Sequence, residues 1–103
     1  MQFEVFANPL VGARGAYPYV VVLQADIAAA GRERVVAFLA PHGAVGHVAG
    51  RLMPVVTLGK RPFVVLMPSI TTVPVSALRE PVGDLRAFRE SILEAVNATF
   101  LGS

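Results

Sequence analysis

Hydrophobic and polar positions follow two different periods along this chain. Up to about residue 80 the apolar residues alternate with polar ones or form short runs; from Asp84 they recur at helical spacing. "QFEVFA" (2–7) alternates, with Phe3 and Val5 on one face and Gln2, Glu4 and Phe6 on the other. "YPYVVVLQ" (17–24) and "RVVAFLA" (34–40) are β-branched and aromatic runs of strand length. "RLMPVVTLG" (51–59), "PFVVLM" with its core at 63–67, and "TVPVSAL" (72–78) predict three more strands. Prolines at 54, 62, 68 and 74 each lack a backbone donor and belong at strand edges, bulges or starts. Strands interrupted so often bend, which suits a small barrel better than a flat sheet.

Between these runs, "NPLVGARG" (8–15) reads as a hairpin or longer loop and "ADIAAAGR" (25–32) as a turn. The glycine-rich "PHGAVGHVAG" (41–50) reads as a loop or a distorted short segment. In the last segment Leu85, Phe88, Ile92, Ala95, Val96 and Thr99 form one core-facing stripe. Asp84 is positioned to cap the helix or to complement its dipole from the first turn. Phe100 lies at the margin of that stripe, whereas Leu93, Asn97 and Leu101 fall on the far side with Arg86 and Glu90. The helix therefore has a second apolar aspect that strengthens through "EAVNATFLGS" (94–103), where a chain end would ordinarily fray. On pattern alone Asn97 is an ordinary exposed residue near a helix end, Leu93 and Leu101 can pack on a second copy, and Ile27 can be turn-flanking core.

With 103 residues the expectation is one domain over 1–103, a β-barrel over about 1–80 and a C-terminal helix over about 84–101. The chain is 54% hydrophobic and only 16% charged, which is greasy for a small soluble monomer. A membrane span is not the reason, because the longest uncharged run, Pro62 to Leu78, contains three prolines where about 20 helical apolar residues are needed. Glu4 sits where a secretory signal would carry positive charge. The expectation is a cytoplasmic protein without a membrane partner, its excess apolar surface forming a homodimer interface. Net charge is +2, and the basic residues are scattered pairs (Arg32 and Arg34, Lys60 and Arg61, Arg86 and Arg89), a weak basis for nucleic-acid binding.

Chemistry-bearing motifs are sparse. Without cysteine there is no disulfide framework or thiolate metal site. His42 and His47 lack the spacing of a helical metal-binding pair and have no acid nearby in sequence. Asp26, Glu33, Glu80, Asp84, Glu90 and Glu94 are dispersed. "GARG" and "GAVGHVAG" lack the context of phosphate-binding loops. No catalytic residue, metal site or cofactor is expected.

Seven stretches stand out in order and spacing: "MQFEVF" at the start, "QADI" (24–27), "GRERVV" (31–36), "LMPVVTLG" (52–59), "VPVSAL" (73–78), "DLR" (84–86) and "NATFLG" (97–102). Together they resemble the CcdB family of toxin–antitoxin toxins. The resemblance implies an SH3-like antiparallel β-barrel of the CcdB/Kid/MazF type, mainly β with a C-terminal α-helix, and a homodimer. It implies a non-enzymatic toxin that binds the A subunit of DNA gyrase and traps the topoisomerase on cleaved DNA. A disordered CcdA-like antitoxin neutralises such toxins, and contact with DNA in autoregulating transcription runs through the antitoxin complex. Carried over by position, the gyrase-binding residues are Ile27, Asn97, Phe100, Leu101, Gly102 and Ser103. Family members typically end in Trp-Gly-Ile, where this chain has Leu101-Gly102-Ser103. Loss of such an aromatic anchor commonly costs about 2–4 kcal/mol. The fold and dimer are expected to persist while gyrase poisoning is weakened, retargeted or lost. Two alternatives remain: an endoribonuclease toxin of the Kid/MazF type, with Arg14, Arg32 and Asp26 as its best candidate residues, and a non-poisoning homologue that only binds antitoxin.

Overall fold

Six antiparallel strands and one helix make up the computed structural model, which describes residues 1–25, 31–45 and 50–102. The strands are β1 (Glu4–Ala7), β2 (Tyr19–Val22), β3 (Glu33–Pro41), β4 (Val55–Leu58), β5 (Arg61–Pro74) and β6 (Gly83–Asp84). They join in the order β4-β5-β3-β2-β1-β6. The sheet curls until its two edges nearly meet. A Cβ placed on Gly83 of β6 would lie 2.7 Å from Leu58 Cδ1 of β4, so glycine at 83 lets the edge side chain close over the seam. The result is mainly β, a nearly closed barrel with a C-terminal helix.

Both faces of the central strands are covered, which explains the unbroken valines of β2. Val21 joins Phe3, Val5, Leu39, Val65 and Met67 in one cluster, whereas Val20 and Val22 join Phe6, Val36, Val73 and Leu78 in another. The alternation of "QFEVFA" holds, since Phe3 and Val5 share the first cluster and Phe6 enters the second.

Two strands expected from "PFVVLM" and "TVPVSAL" are one strand, β5, running through a bulge. Val36 pairs with Thr71 and Phe38 with Leu66, so Ala37 alone faces residues 67–70. Exposed Pro68 lies in that bulge, where its missing N–H leaves no ladder bond unmade. After Pro74 the chain turns as a 3-10 segment over Val75–Ala77, ending the strand earlier than expected. Residues 50–52 are likewise a 3-10 turn, and β4 begins only at Val55, after Pro54. The 41–50 loop contains a 3-10 turn at His42–Ala44.

The barrel extends past residue 80, because β6 pairs Glu4 with Asp84 and Val5 with Gly83. That pairing also delays the helix. Asp84 is held in the ladder, and its Oδ1 accepts the Arg86 N–H at 3.1 Å just ahead of a 3-10 turn over Arg86–Phe88, which has Leu85 at its N-cap position and no side-chain cap. The α-helix α1 runs from Arg89 to Leu101, with no side-chain cap at its start. It lies across the 50–52 turn and β5, burying Ile92 and Ala95 in the first cluster, with Phe88, Leu93 and Val96 packed at its margin.

Candidate docking surface at the helix end

Helix α1 is longer than the surface it covers. Ile92 and Ala95 are fully buried, but the last turn overhangs: Asn97, Thr99, Phe100, Leu101 and Gly102 are all exposed. Two expectations change as a consequence. Thr99 is not core; its hydroxyl instead donates to the Ala95 carbonyl at 2.7 Å. Leu93 does not stand on a free far side, since it is half-buried against the main cluster.

The overhanging turn carries the large apolar groups outward. Phe100 is 66% and Leu101 73% exposed. Asn97 sits three residues before Phe100 and four before Leu101, so it neighbours each of them on the helix surface at roughly 5–6 Å between Cβ atoms. An amide thus borders two apolar side chains. Gly102 closes the helix at φ 71°, its N–H donating to the Ala98 carbonyl at 3.1 Å. Glycine reaches that left-handed conformation without the steric cost other residues meet. The helix therefore ends in a left-handed glycine cap. Ile27 and Ser103 lie outside the described residues, so the structure brings together Asn97, Phe100, Leu101 and Gly102 of the expected set.

Pattern reading missed a second exposed apolar feature. Leu10 and Val11, 49% and 69% exposed, stand on the loop between β1 and β2. Fully buried Asn8 braces that loop. Its side-chain N–H donates to the Tyr17 carbonyl (2.8 Å), its Oδ1 accepts the Leu10 N–H (2.9 Å), and its backbone carbonyl accepts Arg14 Nε (2.6 Å). The Asn-Pro pair was the only hint in sequence, and it marks a turn without saying that the amide is interior.

Among the described residues, those considered for catalysis do not converge. Arg14 is tied to the Asn8 backbone, Arg32 is exposed beside the start of β3, and Asp26 lies outside the described residues. His42 is exposed in its turn and His47 is not described. Among the described residues no three histidine or acidic groups gather as a metal would require. At the opposite end of α1, two open grooves of about 330 and 240 Å³ share Arg86 and Arg89; the smaller is bordered by Gln2 and Phe3. Among the described residues no helix is long and apolar enough to cross a membrane.

Comparison with curated proteins gives no match. The sequence model described as CcdB protein matches residues 2–102, nearly the whole chain. The nearly closed barrel of six antiparallel strands and the single C-terminal helix are consistent with that family's fold. The chain therefore belongs to the CcdB family, toxins of toxin–antitoxin systems that act on DNA gyrase.

Proposed function

We propose that this chain binds the A subunit of DNA gyrase through the exposed end of α1, acting as a binding protein and not as a catalyst. The carrying observation is that Phe100 and Leu101 are 66% and 73% exposed on a helical, glycine-capped turn. Isolated exposed leucines are unremarkable, but two large apolar residues beside an amide on an overhanging helix end form an anchor suited to a protein partner. Asn97 supplies a hydrogen-bonding rim, and Ile27 and Ser103 complete the set by family position. Two copies pair as a homodimer of single-domain chains in the cytoplasm, presenting both helix ends. A CcdA-like antitoxin neutralises the toxin, and DNA is met only through that complex.

Leu101 in place of the family's tryptophan gives a smaller anchor. At about 2–4 kcal/mol for such a loss, affinity falls roughly 30- to 1,000-fold. This departure favours one second reading, a homologue that retains antitoxin binding and has lost poisoning. A gyrase supercoiling and cleavage assay with purified protein decides between them. Inhibition or trapped cleavage that disappears on Leu101→Asp, or on deletion of residues 101–103, supports gyrase docking. Full supercoiling activity at micromolar protein, with antitoxin binding intact, supports the second reading.

A further inference from the structure

On the outer face of α1, Glu90, Glu94, Asn97 and Leu101 follow one another at spacings of four, three and four residues. At 3.6 residues per turn they fall within an arc of about 60°, so they form one line leading to the helix end. All four are exposed. Among the described residues neither glutamate takes part in an ion pair. Glu94 has Glu90 and Ser91 one turn before it and Asn97 and Ala98 one turn after, with no cation at any of those positions. Glu90 has Arg86 four residues earlier, in the 3-10 turn, without a salt bridge forming between them. Like charges four residues apart disfavour an isolated helix. The negative end of the helix dipole adds to the same field, because the last turn contains no basic residue. Glu90 stands in the first turn, where the positive dipole end and Arg86 and Arg89 offset its charge, so the line is most electronegative from Glu94 onward and ends in an apolar anchor.

We infer that the partner surface is basic, presenting lysine or arginine side chains to Glu90 and Glu94 beside an apolar socket for Leu101 and Phe100. The inference rests on the docking role proposed for the helix end, and it specifies the chemistry of what docks there. The rise of the helix puts the two carboxylates roughly 10 and 16 Å from Leu101 along the axis. Such flanking charges act mainly on encounter, raising the association rate at low salt and leaving dissociation to the desolvated anchor. Arg86 and Arg89, at the other end of the helix, orient the encounter by making α1 basic at its start and acidic beyond.

The test is surface plasmon resonance of the full chain on immobilised gyrase A subunit at 50–300 mM NaCl. The unaltered chain is expected to lose roughly tenfold in association rate across that range. Glu90→Gln with Glu94→Gln should lower the low-salt association rate about 3- to 10-fold and remove most of the salt dependence, with dissociation unchanged. Both positions are exposed, so circular dichroism should show the same fold. Unchanged association and salt dependence in the double variant, alongside binding that Leu101→Asp abolishes, would overturn the inference and leave gyrase docking standing. No binding by the unaltered chain would overturn both.

Discussion

Leu101→Ala separates a docking residue from a structural one, and the structure supplies the magnitude. Leu101 is 73% exposed, so only about a quarter of its surface is withdrawn from water by the chain itself. Fully burying a leucine contributes roughly 1.5–3 kcal/mol, so the share at risk is about 0.4–0.8 kcal/mol. Alanine is the better helix former, which offsets a few tenths of that. The net stability change is then about 0.5 kcal/mol or less, a Tm shift of roughly 2–4 °C for a domain of this size. Binding should respond differently. Truncating a central apolar anchor commonly costs about 2 kcal/mol, close to a 30-fold loss of affinity. Thermal unfolding followed by circular dichroism, paired with gyrase A titration, measures both effects. A Tm loss above about 10 °C would refute the reasoning, since it would mean Leu101 is packed inside an assembly instead of offered to a partner. Unchanged gyrase affinity in a protein that binds gyrase would refute it equally.

Ile92→Ala should do the reverse. Its side chain is fully buried under the helix, and urea unfolding should show a loss of about 2–5 kcal/mol, with gyrase affinity unchanged where the variant remains folded. Asn8→Ala removes the brace of the Leu10–Val11 loop and leaves the Tyr17 carbonyl and Leu10 N–H without those side-chain bonds; the expected cost is about 2–3 kcal/mol by urea unfolding, with faster amide exchange at Leu10. Gly102→Ala places a Cβ on a residue at φ 71°, which should cost about 1–2 kcal/mol locally and raise amide exchange over the last helical turn with little change in Tm.

Local pattern carried much of the architecture. Alternation in "QFEVFA", the valine run of β2, the prolines and the change of period after Asp84 are short-range signals, because the side-chain period of each element is set by its own backbone geometry. The candidate patch was legible for a related reason: Phe100 and Leu101 depart from the core stripe of a helix whose buried side is Ile92 and Ala95. Tertiary structure decided what depends on residues far apart in sequence. Only pairing with β3 reveals that 61–74 is one bulged strand, and only pairing with β1 makes Gly83–Asp84 a strand that postpones the helix. Asn8 is interior because three groups along the following loop converge on it. Thr99 stands outside the core because the barrel beneath α1 ends before the helix does. A helical wheel records direction around an axis, whereas burial also depends on how far the neighbouring surface extends along it.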